Sequence, residues 1–266
     1  MKRIAVWVGC LGLLMTQVGC QNRVAKLEKI VADLEGRIKK LEARIAPKRP
    51  KEQDKPYPIP LYTEAGDPKK KHWSPVLGNK NATVSVVMFA DLQCPFCARS
   101  NPLAYEIIKD PVLKDRVNVV FKHFPLSFHK GAKPAAKASL SAHGQEMFWP
   151  FLDKIYANQR DLTKKNFEKW IQEVKSADGK KGNRIQLIRD LIDKDELYEE
   201  IIQADMKVGI KTAKVDGTPY ILLGKREGDT IQGWKLPHAQ RSLDGIKSLI
   251  KEKKILDLKK PAAGAK

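Results

Sequence analysis

Cys94 and Cys97 are separated by two residues in Cys94-Pro95-Phe96-Cys97. This spacing suits a thiol pair that opens and closes its own disulfide. Exchange needs a thiolate to attack a sulfur and a second thiol near enough to resolve the mixed disulfide. Two intervening residues at a helix start bring both sulfurs within bonding range. Cys94 is then expected at the helix N-terminus, where unpaired N–H groups and the helix dipole favour a thiolate. Cys97, one turn in, is expected to be more buried and to resolve. A Cys94 pKa lowered from about 8.5 to about 5 would stabilise the reduced form by roughly 2.7 kcal/mol at pH 7, or about 60 mV toward a stronger oxidant.

The other cysteines fall near the N-terminus. Met1-Lys2-Arg3 is a short positive segment, followed by the twelve-residue apolar run from Ile4 to Met15. Spanning a bilayer takes about 20 apolar residues, so residues 1–19 read as a cleaved export signal. Gln17-Val18-Gly19-Cys20 resembles a bacterial lipobox: Val18, Gly19 and Cys20 fit, whereas Gln17 stands where an aliphatic residue is usual. Cys10 would leave with the signal and Cys20 would carry lipid. Of the four cysteines, only Cys94 and Cys97 would remain as thiols, which in an exported protein points to redox chemistry more than to a structural staple.

The elements that must position this pair can be read along the chain. Residues 83–90, Thr-Val-Ser-Val-Val-Met-Phe-Ala, suit a buried central strand. Asp91-Leu92-Gln93 leads into the cysteines, and helical spacing runs on to Lys109, with Pro102 expected to kink or restart the helix. Val117 to Phe121 reads as a second strand. Residues 132–209 are mainly helical, with breaks near Pro150, Asp161 and Gly179 to Gly182. Gly217-Thr218-Pro219 precedes strands at Tyr220 to Leu223 and Thr230 to Gln232, and a final helix runs from about Pro237 to Lys251.

This order resembles the DsbA-like branch of the thioredoxin superfamily, an α/β thioredoxin-like fold with a helical insertion. The resemblance covers about residues 75–252. It is carried by Phe89-Ala90-Asp91-Leu92-Gln93-Cys94-Pro95-Phe96-Cys97, His123-Phe124-Pro125-Leu126 with His129, Ala135-Ala136, Phe148-Trp149 and Gly217-Thr218-Pro219. It implies that Cys94 and Cys97 are catalytic and that Pro219 is a cis-proline lying against them. Pro95, Phe96, Thr218 and Pro219 would form the substrate-facing loops, with the Thr218 backbone turned toward an extended substrate. His123 and His129 would be framework. The sequence departs from the family at two points. Phe96 replaces the histidine of the classical Pro-His dipeptide and cannot hydrogen-bond, so less oxidising power is expected. Met88 stands where many thioredoxins carry an acidic residue, leaving Asp91 as a candidate for proton handling or for capping the loop.

Ahead of this domain, residues 24–45 carry heptads. Val24, Val31, Ile38 and Ile45 take the a positions, and Leu27, Leu34 and Leu41 the d positions, a choice that favours a parallel two-stranded coil. Arg23 with Glu28 and Arg37 with Glu42 would attract across it. Its length is about 33 Å at 1.5 Å per residue, and Gly36 weakens it by roughly 1 kcal/mol. The expected organisation is signal 1–19, coiled-coil stalk 20–46, Pro/Lys-rich linker 47–74, catalytic domain 75–252 with its insertion at about 132–209, and basic tail 253–266.

The net charge of +19 is spread along the chain without an aromatic-interleaved basic motif, so it reads as solvated surface and no nucleic-acid partner is expected. One CxxC supplies half of a four-ligand zinc site, and no metal is expected; the redox-active disulfide is the only prosthetic element. The expected function is protein thiol–disulfide exchange, with oxidation preferred over isomerisation or reduction and a membrane redox partner implied. A non-catalytic tethering lipoprotein is the alternative of a different class. The expected location is the bacterial envelope, facing the periplasm. Gln21 follows Cys20 in place of the Asp that commonly retains lipoproteins in the inner membrane, so the outer membrane is preferred.

Overall fold

In the computed structural model of the chain, residues 26–38, 55–64 and 71–258 are described. The signal sequence, Cys20, the heptad positions Val24, Leu41 and Ile45, and residues 47–54, 65–70 and 259–266 lie outside them. The chain divides into two units, Met1–Lys51 and Glu52–Lys266. In the first, residues 26–38 form helix α1. Leu27, Val31, Leu34 and Ile38 all lie exposed on it, and Asp33 faces Arg37 one turn on at 3.9 Å.

The second unit is built on a six-stranded sheet. Its strands are β1 (Tyr57–Pro60), β4 (Val76–Leu77), β5 (Val84–Ala90), β6 (Val117–His123), β7 (Tyr220–Glu227) and β8 (Thr230–Lys235), in the order β1-β8-β7-β5-β6-β4. A two-stranded hairpin of β2 (Tyr62–Glu64) and β3 (Lys71–Trp73) stands apart from that sheet. β5 and β6 run parallel, Val84 opposite Val117 through Ala90 opposite His123. β7 is antiparallel to β5 on its other edge.

β5 is buried along its whole length, which explains its unbroken apolar sequence. Successive side chains of a strand point to opposite faces. Val84, Val86, Met88 and Ala90 therefore enter one core cluster, while Val87 and Phe89 enter the other. The first face is covered by α3 (Pro102–Lys109) and α9 (Leu243–Glu252), through Leu103, Ile107, Ile246, Leu249 and Ile250. α2 (Pro95–Ser100) precedes α3, and each has proline in its first turn, where the missing N–H costs nothing. The expected restart at Pro102 is thus realised as two helices.

The insertion comprises α4 (Ala132–Gly144), α5 (Phe148–Ala157), α6 (Lys164–Glu173), α7 (Arg184–Asp193) and α8 (Asp195–Lys207), continued by a π-helical turn at Val208–Ala213. The break expected at Pro150 falls earlier, at Gln145–Met147, because proline fits the first turn of α5. Thr163, Asn183 and Ser242 cap α6, α7 and α9 with side-chain oxygens. α8 is fixed to β6 by a buried ion pair, Lys122 Nζ to Asp205 Oδ1 at 2.9 Å, and Asp205 Oδ2 accepts from His123 N.

Three boundaries need correction. Tyr57–Pro60, expected as linker, is an edge strand paired with β8, with Ile59 and Leu61 buried. Alternation explains it: Ile59 and Leu61 point inward, while the prolines that suggested a spacer sit on an edge strand, where a missing donor is tolerated. The final helix starts at Leu243, behind the Ser242 cap, and Pro237 instead opens a short 3-10 turn at His238–Gln240. Of the expected basic tail, residues 253–258 pack back on the domain, with Ile255 in the core and Asp257 O accepting from Arg116 Nη2.

Candidate active site

The two cysteines sit where β5 ends and α2 begins. Cys94 has extended geometry as the residue before the helix, and Pro95 takes the first helical position. Cys97 N and Ala98 N both donate to Cys94 O, which fixes the turn that brings the thiols together. Both thiols are free; Cys94 is 4% exposed and Cys97 1%.

Their environments push the two thiols apart. The Cys94 pKa is lowered to about 5, first by a hydrogen bond from the Cys97 thiol, with burial opposing, then by Thr218 and the N–H groups of Cys97 and Phe96. Cys97 is pushed strongly up, first by burial and then by its partnership with Cys94. Asp91 N donates to its sulfur at 3.4 Å. The outer thiol is therefore the thiolate at neutral pH, and the inner one keeps its proton.

The Thr218–Pro219 bond is cis, and Thr218 O lies 3.6 Å from Cys94 Sγ. Thr218 Oγ1 is buried with no hydrogen-bond partner among the described residues. Phe96 points out at 61% exposed, with the Arg99 guanidinium 4.4 Å from its ring centroid. Phe128 is also exposed, stacked edge-on against His129.

Asp91 is fully buried and joins two loops. Its Oδ1 accepts from Gln93 N at 2.6 Å and Cys94 N at 3.1 Å; its Oδ2 accepts from Leu126 N at 2.7 Å and lies 2.9 Å from His129 Nδ1. This is a loop clamp, and it places no carboxylate oxygen in hydrogen-bond contact with either thiol. His129 joins the clamp, whereas His123 is buried among Phe121 and Phe148 with neither ring nitrogen bonded. Burial lowers the His123 pKa to about 4.

Two further residues position the redox loop, and of these Gln159 carries no signal in the sequence. Gln159, just past α5, donates from Nε2 to both Leu92 O and Cys94 O, at 3.0 and 2.9 Å. Gln93 Oε1 accepts from Gly131 N at 2.7 Å. Both tie the redox loop to the insertion, as Asp153 ties α5 to α3 through Asn101 and Tyr105. Long-range amide contacts of this kind follow no local spacing rule. Among the described residues, no three His, Cys, Asp or Glu side chains come together as a metal set, and no helix is long and apolar enough to cross a membrane.

Comparison with known proteins gives the same architecture. Residues 70–251 match the family described as Thioredoxin. The chain is 27% identical over 168 residues to the disulfide bond formation protein D of Bacillus subtilis, covering 61% of this chain and 72% of that one. It is also 36% identical over 97 residues to a Na(+)/H(+) antiporter, NhaA 3, of Salinispora tropica, where the match spans 36% of this chain and only 14% of the antiporter. Among solved structures it is similar to oxidised BdbD of Bacillus subtilis, with a TM-score of 0.53 and 24% identity over 76% of this chain and 100% of that one. Chlamydia trachomatis DsbA gives 0.53 at 16% identity, over 68% and 90%. With residues 70–251 matched, the chain belongs to the thioredoxin family.

Proposed function

We propose that the chain is a thiol–disulfide oxidoreductase that exchanges disulfides with protein substrates through Cys94 and Cys97, acting as an oxidase. The observation that carries this reading is the asymmetry of the pair: a Cys94 thiol lowered to about 5 beside Thr218 O, backed by a buried Cys97. A low Cys94 pKa stabilises the reduced form, so the oxidised form gives its disulfide away. The name of the Bacillus subtilis relative, a disulfide bond formation protein, supports the same direction.

A substrate thiolate attacks Cys94 Sγ, a new S–S bond forms, and the electron pair of the old one leaves on Cys97 Sγ. A second substrate thiolate then attacks the substrate sulfur of the mixed disulfide. Cys94 departs as a thiolate, Cys97 takes up a proton, and the substrate carries the disulfide. Thr218, Pro219, Pro95 and Phe96 would line the docking surface, and a membrane redox partner would reoxidise the pair. Asp91 would serve by holding the loop, with any proton passing through its contact to His129.

The same reading makes the protein an envelope lipoprotein held at Cys20 and facing the periplasm, outer membrane preferred, and a parallel dimer through residues 24–45. The exposed stripe of Leu27, Val31, Leu34 and Ile38 supports the dimer, and two sites facing a shared space would suit isomerisation as the second reading. The test is to mix oxidised protein with a reduced, unfolded two-cysteine polypeptide and with a scrambled one. Fast oxidation of the first with slow repair of the second supports the oxidase; the reverse order supports the isomerase.

A further inference from the structure

The helical insertion holds a cleft that has no part in the exchange chemistry described so far. It has a volume of about 300 Å³ and lies among α4, α6, α7 and the start of α8. Pro134, Phe167 and Leu191 form its apolar wall, and Lys133, Lys137, Lys164 and Asp195 carry its charges. That size is at the low end of ligand sites, enough for about one or two side chains and too small for a large cofactor.

The charges of the cleft do not cancel. Lys133 Nζ is 2.8 Å from Glu199 Oε1, and Lys137 Nζ is 2.8 Å from Asp195 Oδ1 and 3.4 Å from Glu199 Oε2. Those two lysines and two carboxylates neutralise one another. Lys164 is exposed at the first position of α6, and its ammonium has no ion-pair or hydrogen-bond partner among the described residues. The first turns of α4 and α6 add partial positive charge through their backbone N–H groups. An apolar wall beside an uncancelled cation suits a ligand that is apolar at one point and anionic at the next.

The cleft begins where the insertion meets the redox loop. Gly131 N donates to Gln93 Oε1 at 2.7 Å, and a Cβ at Gly131 would lie 3.1 Å from both that oxygen and Leu162 Cβ. Lys133 follows Gly131 by two residues, Lys164 follows Leu162 by two, and Gln93 directly precedes Cys94. About five extended residues of a bound chain cover the distance from Cys94 to the cleft.

We propose that this cleft is a second contact site for the polypeptide whose cysteine reacts at Cys94, and that it takes an apolar side chain next to an aspartate or glutamate about five residues from that cysteine. The inference rests on the exchange reading above and names the substrates it favours, unfolded segments with an apolar–acidic pair. The apolar side chain enters between Pro134, Phe167 and Leu191, and the carboxylate meets Lys164 Nζ. Lys164 touches no reacting atom, so contact here lowers KM and leaves kcat unchanged.

The test uses the oxidised full chain and synthetic two-cysteine peptides carrying Leu-Glu about five residues to either side of the cysteines, with Leu-Gln or Ser-Glu in its place as controls. Wild type is expected to show a KM for Leu-Glu about threefold below that for either control at equal kcat, a difference that shrinks as salt is added. Lys164 is exposed, so its variants remove no core contact. Lys164→Gln should abolish the preference for Glu and Lys164→Arg should keep it. Lys165→Gln, at an exposed neighbour outside the cleft lining, should leave it intact. Equal KM for Leu-Glu and Leu-Gln with wild type overturns the inference. So does a preference that survives Lys164→Gln, or one lost equally in Lys165→Gln, which would mark the general basic charge of the chain.

A fluorescent Leu-Glu peptide with both cysteines replaced by serine reads binding alone, by anisotropy. Binding that Lys164→Gln weakens, with no oxidation of any peptide, counts against the proposed function and leaves the cleft standing. Decanoate binding that depends on Lys164, with no peptide bound, would assign the cleft to a small amphiphilic acid and overturn the proposal.

Discussion

Asp91 and Cys97 face each other across the turn that carries the redox pair. The Asp91 N–H donates to Cys97 Sγ at 3.4 Å, while the Asp91 carboxylate accepts from Cys94 N at 3.1 Å. One residue at the end of β5 thus sets the geometry of both cysteines, through its backbone for the buried sulfur and its side chain for the loop. Removing the carboxylate by Asp91→Ala leaves Gln93 N and Leu126 N without this acceptor, while Cys94 N keeps the Asp91 carbonyl at 3.3 Å. Each orphaned buried donor costs about 1–3 kcal/mol. Urea unfolding of the reduced protein should show a loss of a few kcal/mol.

The pH dependence follows from the lowered Cys94 pKa. Its folded value of about 5 lies below the ordinary thiol range, so the thiolate favours the folded reduced form fully above the unfolded pKa. That contribution declines as pH falls and is gone below about 5. Thiolate absorbance should titrate near 5. Between that point and alkaline pH, reduction takes up one proton per two electrons and the potential should fall by about 30 mV per pH unit, steepening to about 59 mV per unit in more acid solution. A single slope through pH 5 would show that Cys94 is not the group assigned.

Phe96 is exposed and offers the Cys94 thiolate no side-chain hydrogen bond. Phe96→His places a donor at this position without disturbing the core. The expected result is a Cys94 midpoint below that of wild type and a more oxidising potential in glutathione equilibrium. An unchanged midpoint would mean that the backbone donors and the Cys97 thiol already saturate the thiolate.

Lys122 and Asp205 form a buried pair at 2.9 Å. Deleting one partner of such a pair typically costs about 3–5 kcal/mol, because the other charge stays buried. Lys122→Met should therefore lose about that much in denaturant unfolding. Adding Asp205→Asn should recover part of it, since the amide oxygen can still accept from His123 N.

Leu34→Asp on α1 tests the proposed dimer. Leu34 is already exposed, so the substitution removes no core contact within the described residues. Sedimentation of the full chain should give a dimer for wild type and a monomer for the variant.

Much of the site was legible because its signals are local. Strand, Cys94-Pro95-Phe96-Cys97 and helix are contiguous, and Gly217-Thr218-Pro219 stands directly before β7. Residues that act at a distance left no such trace. Gln159 reaches the redox loop from the end of α5, with nothing in its neighbours to mark it. β1 was hidden for a different reason. Pro58 and Pro60 read as spacer residues, and only the pairing of Ile59 with Ile231 shows that the edge of a sheet can accept them.

The most direct test of the central claim is transfer of the Cys94–Cys97 disulfide to a reduced, unfolded two-cysteine polypeptide at pH 7, followed by mass spectrometry. The account predicts one disulfide delivered per oxidised protein, much faster than by glutathione disulfide alone. With Cys97→Ala carrying a preformed Cys94–glutathione disulfide, it predicts a mixed disulfide of the polypeptide through Cys94. Transfer no faster than glutathione disulfide, or a polypeptide adduct retained when Cys94 is replaced by Ser, would contradict it.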